Sequence, residues 1–249
     1  MPSIPFEIEA LSVFMTKLTC DGFTNFFRYY NNEPQQVDAV KQLWQAMPTS
    51  LLEEDASWVT TYREKPEESA VEGYLMLDCP YDLQHNNPSG EGWRECFSSS
   101  CAMVAKYWLP DLDINEYLLR RPRYGDSTDA GAQISCLRSF GLDARFVSWG
   151  TADKLKQQIM RGRPAPVGWL HNGHVSSPSG GGHYSVVIGY DDHAMDWIHN
   201  DPNGEANLTP GGYANRTGGK GVRYSYKNWN PRWCVEGEGS GWGLDIWLP

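Results

Sequence analysis

The stretch Trp93 to Leu109 reads WRECFSSSCAMVAKYWL, a cysteine set where a loop turns into a helix. Ser98, Ser99 and Ser100 suit a helix start, because short oxygen side chains accept hydrogen bonds from the first unpaired backbone N–H groups. Beyond them Cys101, Val104, Ala105, Trp108 and Leu109 recur at helical spacing, which turns one face toward a core. A thiol at the positive end of such a helix has its thiolate favoured, and the thiolate is the form that attacks carbonyls. Cys96 is therefore the candidate nucleophile. A lone cysteine more often packs as a small hydrophobe, so the assignment depends on partners further along the chain.

The first partner comes from Gly180 to Asp192, GGGHYSVVIGYDD. His183, Ser185 and Val187 alternate with Tyr184, Val186 and Ile188, which predicts a strand with His183 emerging from a glycine-rich loop. Glycines there let another backbone or a substrate approach. An imidazole at such a mouth can take a thiol proton and return it to a leaving amine. His174, in HNGHV, is the rival base, but the strand after His183 is much better defined.

The second partner lies one hairpin on, in HNDPNG from His199 to Gly204. Asp191 and Asp192 form the turn and Met195 to Ile198 the return strand. An antiparallel neighbour can bring Asp201 or Asn200 beside His183, where either could hold the imidazole in the useful tautomer. Upstream, Gln84 sits in the loop Asp82 to Gly92 (DLQHNNPSGEG) and has the side-chain amide that oxyanion stabilisation needs. Its neighbour His85 reads as surface.

Composition limits the alternatives. The chain has 249 residues, enough for one sizeable core or for a medium domain plus a small one. A formal charge of −10 argues against a nucleic-acid partner, since phosphate binding needs a basic surface. Met1 to Ala10 lacks the basic start and apolar run of a signal peptide, and no stretch is long enough to span a bilayer. The six cysteines show no CxxC pairs, so we expect neither a metal site nor a disulfide framework, but mostly reduced thiols in a protein made in a cytoplasm.

The remainder divides in two. Residues 1–66 read as a small helical module: Gln35 to Met47 places Val37, Val40, Leu43, Trp44 and Met47 on one face, and Ser50 with Glu53 forms a capping box opening a helix through about Arg63. Pro34, Pro48 and Pro66 fall between the segments. After the polar link Lys65 to Ser69, residues 70–249 read as one α+β domain. Gly73 to Leu77 is a strand, Ala130 to Phe140 a helix closed by Gly141, Ala144 to Trp149 a strand, Thr151 to Arg161 a helix and Pro164 to Leu170 a buried strand. Helices precede strands, which indicates segregated α+β packing rather than parallel βαβ units.

The run Cys96-Phe97-Ser98-Ser99-Ser100-Cys101-Ala102-Met103 resembles the cysteine-helix motif of bacteriocin-processing cysteine peptidases and their stand-alone relatives in the papain-like clan. GGGHYSVVIGYDD followed by NDPNG is similar to that family's histidine strand and acid turn, and Ser139 to Leu142 and Gly162 to Val167 match its connecting segments. The resemblance covers roughly residues 74–208. It implies a papain-like fold, a nucleophile helix packed on an antiparallel sheet, with Cys96 as nucleophile, His183 as base, Asp201 as orienter and Gln84 as oxyanion donor. It implies no cofactor and no metal. Phe97-Ser98 stands where many members have Gly-Pro.

Two flanking stretches, FFRYYNNEPQQVDAVKQLW and YSYKNWNPRWCVEGEGSGWG, resemble more loosely the flanks of phage lysins and tail-associated hydrolases, especially of phages infecting cyanobacteria. Together the resemblances imply cleavage of peptides in bacterial peptidoglycan, by a protein made in the host cytoplasm that acts at the cell wall or in the virion. Phage tail or baseplate proteins are the implied partners. A non-enzymatic tail component with a peptidase-like fold and a protease for one specific protein are the alternatives. Tyr224 to Trp247 reads either as core-completing strands or as a saccharide-stacking surface, with core and edge packing preferred.

Overall fold

Alternation along the histidine strand builds the sheet. A computed structural model describes residues 73–249, and in it strand β4 runs His183–Asp191 with Val186 and Ile188 packed into one hydrophobic cluster and Val187 into another on the opposite face. A bulge between Val187 and Gly189 shifts the alternation, which puts Tyr190 on the side of Val187. One strand thus feeds two cores.

The other strands gather around it, all antiparallel. Strands β1 (Tyr74–Met76) and β3 (Ala165–Trp169) share one side of β4, and β5 (Asp196–Asn200) takes the other, followed by β8 (Val222–Ser225). Beyond β3 come β9 (Gly241–Trp247) and then β2 (Asp143–Gly150) at the edge. Strands β6 (Glu205–Ala206) and β7 (Tyr213–Asn215) form a separate two-stranded ribbon in the excursion between β5 and β8.

Helices cover both faces. On one, α1 (Cys96–Trp108), α2 (Ile114–Arg120) and α3 (Ala130–Ser139) supply Phe97, Met103, Leu118 and Leu137 to a core shared with Val186, Ile188, Leu244 and Ile246. On the other, α4 (Ala152–Met160) and α5 (Tyr226–Trp233) supply Leu155, Ile159, Trp229 and Trp233 to a core shared with Val167, Val187 and Tyr224. Asp113, Asp129 and Thr151 each accept a backbone N–H at the starts of α2, α3 and α4, which is why those helices begin there. Helix α2 was not foreseen, although Asp113 and Pro122 bracket it with ordinary start and stop signals.

Three expectations need correction. Helix α1 begins at Cys96 itself, with no side-chain cap, and Ser98, Ser99 and Ser100 are buried inside its first turns rather than capping it. The loop Asp82 to Gly92 contains a 3-10 turn at Gln84–Asn86, and a second follows at Gly92–Arg94. Tyr224 to Trp247 does pack as core and edge, with Tyr224 in the edge strand β8, β9 inside the sheet between β2 and β3, and Trp229 and Trp233 in the core, but its middle, Tyr226–Trp233, is a helix rather than a strand. The five cysteines among the described residues are free thiols. The helices expected within residues 1–66 lie outside the described residues.

Candidate active site

Helix α1 presents its first residue, Cys96, to the first residue of β4, His183. Nε2 of His183 lies 2.8 Å from Oδ1 of Asp201, directly after β5. The same ring hydrogen-bonds the Cys96 thiol, and with Nε2 engaged that contact falls to Nδ1. Cys96 is half-buried, whereas His183 and Asp201 are buried. The arrangement is a line of thiol, imidazole and carboxylate.

Electrostatics hold a proton on the imidazole. Burial alone would depress His183, but the Asp201 carboxylate, the charge on Cys96 and hydrogen bonds to both outweigh it and raise the ring to about 10. Asp201 is itself surrounded by donors. Tyr224 donates to Oδ2 at 2.8 Å, Tyr213 to Oδ2 at 3.3 Å, and the Asn203 N–H to Oδ1 at 3.0 Å. Burial first and the Asp201 charge second push both phenols well above their ordinary range, so they stay protonated donors. Gly219 packs so closely beneath this residue that a Cβ there would stand 1.9 Å from the Asp201 carbonyl oxygen.

Asn200 turns away. Its Nδ2 donates to the carbonyls of Cys79 and Pro80, and its Oδ1 accepts from Gly221 N. It ties β5 to the segment after β1. His174 is exposed and hydrogen-bonded to Ser176. Neither is brought to the thiol.

Gln84 is tethered to both ends of the line. Its backbone N–H donates to Pro202 O at 2.9 Å, and its buried side-chain Nε2 donates to Gly92 O at 2.8 Å. Gly92 in turn accepts the N–H of Glu95, the residue before Cys96. A Cβ on Gly92 would lie 2.3 Å from Gln84 O, so only glycine lets these two turns pack. One amide hydrogen of Gln84 is fixed to Gly92, and its Oε1 is buried without a hydrogen-bond partner among the described residues. Glu95 and Arg121 form a buried ion pair at 2.9 Å that anchors the approach to the thiol. His85 is exposed, as expected, and its Nε2 lies 2.8 Å from Asn203 Oδ1.

The model for the Peptidase_C39 like family matches residues 76–231. The chain belongs to that family, one of cysteine peptidases. Among solved structures, the C39-like chain is similar to a double glycine motif protease from an AMS/PCAT transporter, at 17% identity and a TM-score of 0.45 over 70% of this chain and 94% of that one. It is also similar to a putative C39-like peptidase from Bacillus anthracis (14%, TM-score 0.48, 71% and 98%) and to the peptidase domain of Streptococcus ComA (18%, TM-score 0.42, 63% and 93%). No curated protein matches.

Several residues around this C39-like site carried no signal in the sequence. Tyr213 and Tyr224 reach Asp201 from the β6–β7 ribbon and from β8, and each looked like an ordinary strand aromatic. Trp169, opposite His183 in the β3–β4 register, meets the imidazole at 5.3 Å nearly perpendicular. Its Nε1–H donates to Ser185 Oγ at 2.9 Å, and that hydroxyl shares a hydrogen bond with Nδ1 of buried His199 at 2.9 Å. The His199 ring lies among those of Tyr224 and Trp229, with its Nε2 buried and without a hydrogen-bond partner among the described residues. His171 lies 5.7 Å from His183, and burial followed by the His183 charge lowers it to about 4.

Proposed function

We propose that the chain hydrolyses peptide bonds with Cys96 as nucleophile, His183 as general acid and base, Asp201 as orienter and Gln84 as oxyanion donor. The observation that carries this reading is the single line from the first residue of α1 through His183 to Asp201. Sγ of Cys96 attacks the carbonyl carbon, and the developing oxyanion is met by Gln84 Nε2 and the Cys96 backbone N–H, one of the helix-start amides without an intrahelical acceptor. His183 gives its proton to the departing amine as the C–N bond breaks, leaving a thioester. Water then adds with His183 as base, and the acid product leaves as Sγ is released.

For substrate we propose peptides of bacterial peptidoglycan, reached from the virion or from inside an infected cell. The flank resemblance supports this reading, now from the N-terminal stretch alone. The burial of Trp229 and Trp233 favours a second reading, a protease that processes one protein, since it withdraws the carbohydrate surface from the C-terminal segment. The test is mass spectrometry of purified peptidoglycan after incubation with wild type and with Cys96→Ser. New amine termini with wild type only establish the wall peptidase, while cleavage of a protein substrate without them moves the assignment to the second reading. No thiol-dependent cleavage of either would point to a non-enzymatic component.

A further inference from the structure

We infer that Arg216 forms a carboxylate-binding subsite on the departing side of the scissile bond, so that substrates with an acidic side chain or a free C-terminus just beyond the cut are preferred. The inference deepens, and rests on, the peptidase reading of Cys96 and His183. The leaving amine must collect its proton from His183, so groups flanking that ring can line the path of the departing peptide. Tyr213 and His171 flank it, with ring centroids 5.5 and 5.7 Å from His183. The Arg216 guanidinium rests over Tyr213, 5.8 Å from its centroid, and its charge is felt at His171.

The guanidinium is exposed and makes no ion pair among the described residues, in a chain whose acids outnumber its bases by ten. Its one hydrogen bond there is a long one, 3.4 Å from Nη1 to Asn203 Oδ1. Asn203 is held on both sides, by His85 at the same oxygen and by Asp201 at its backbone N–H. The arginine is thus stationed on a fixed base beside the catalytic line, with most of its five donors unused, and a planar fork of that kind matches a carboxylate. An exposed pair contributes at most about 1 kcal/mol, roughly a fivefold preference.

Alkylation of Cys96 by haloacetyl dipeptides tests this without any known substrate. In bromoacetyl-Gly-Glu-amide, bromoacetyl-Gly-Gln acid and bromoacetyl-Gly-Gln-amide, Sγ displaces bromide and the dipeptide extends as a departing peptide would. The rate at Cys96 is read by mass spectrometry, with Cys96→Ala locating the label. Expected is about fivefold faster labelling by one or both acidic probes than by the neutral one, and which acid gains separates a side-chain from a terminal carboxylate. The ratio should fall to near one in Arg216→Gln, survive in part in Arg216→Lys, and be retained in Arg161→Gln, at the end of α4. Equal rates for the three probes in wild type, or an unchanged ratio in Arg216→Gln, overturn the subsite. Charge preference without any peptide cleavage would sink the peptidase reading and with it the placement of the subsite beside a scissile bond, whereas cleavage without charge preference would sink only the subsite.

Discussion

The hydroxyl of Tyr224 donates to Oδ2 of Asp201 at 2.8 Å, on the oxygen opposite the one that His183 holds. The same phenolic oxygen accepts the Ala206 backbone N–H at 2.9 Å. Tyr224→Phe therefore removes a donor from a buried carboxylate and strands a backbone donor of the ribbon. We expect a stability loss of about 1–3 kcal/mol in chemical denaturation, with kcat lowered more than KM is raised. A variant as stable and active as wild type would show that Tyr213 and Asn203 suffice.

Asp201→Asn keeps a hydrogen-bonding oxygen for His183 but removes the charge that raises it. The alkaline limb of kcat/KM, expected near pH 10 in wild type, should move down toward neutrality, and the rate should fall roughly 10²-fold. Cys96→Ala should abolish turnover and leave the far-UV spectrum unchanged. An unmoved alkaline limb in Asp201→Asn would mean that the carboxylate does not set the charge of the imidazole.

Linkage gives these shifts a sign in stability. His183 is raised above its unfolded value of 6.5, so its contribution is fully present below pH 6.5 and is lost as pH rises through about 10. The stability gap between wild type and His183→Gln should shrink across that window. His171 is lowered to about 4, so between 6.5 and 4 the unfolded chain binds the extra proton and stability falls as pH falls. His171→Gln should flatten that acid slope in denaturation midpoints, and an unchanged slope would assign it to His199, which burial also holds well below its ordinary value.

Glu95 and Arg121 are both buried and paired, with Glu95 immediately before Cys96. Removing one partner leaves the other charge without compensation, so Glu95→Ala should cost about 3–5 kcal/mol. A double change of Glu95 and Arg121 to apolar residues should recover much of that, and its failure to do so would place the cost in packing instead.

Local pattern and long-range contact explain what could be read beforehand. The strand at His183, the helices begun by Thr151 and Asp129, and the assignment of Cys96 and Asp201 to turns next to regular elements all follow from residues close in sequence. The burial of Ser98 to Ser100 does not: hydroxyls favour helix starts, but here tertiary packing overrides that preference, as when Gln133 donates to Ser98 Oγ from α3. Local sequence left Asp201 and Asn200 both open beside His183, and only the family resemblance implied Asp201, because which of the two meets the ring depends on the register of β5 against β4. Tyr213 meets Asp201 from the β6–β7 excursion and Tyr224 from β8 paired with β5, and no short window of sequence reveals either path.

The interior position of β9 has a consequence for how the chain comes into being. By the time Asp201 has been synthesised, the thiol, imidazole and carboxylate all exist, but β2 and β3 still have no strand to join them. The sheet stays in two pieces until residues 241–247 emerge and insert between them, pairing with Asp143 to Gly150 across roughly ninety residues. Such distant pairing makes folding slow and its last step decisive. A ribosome-bound chain halted before Gly241 should remain open to proteases at both unpaired edges, so that a protein built to cut peptides completes its own framework only after its site residues are already made.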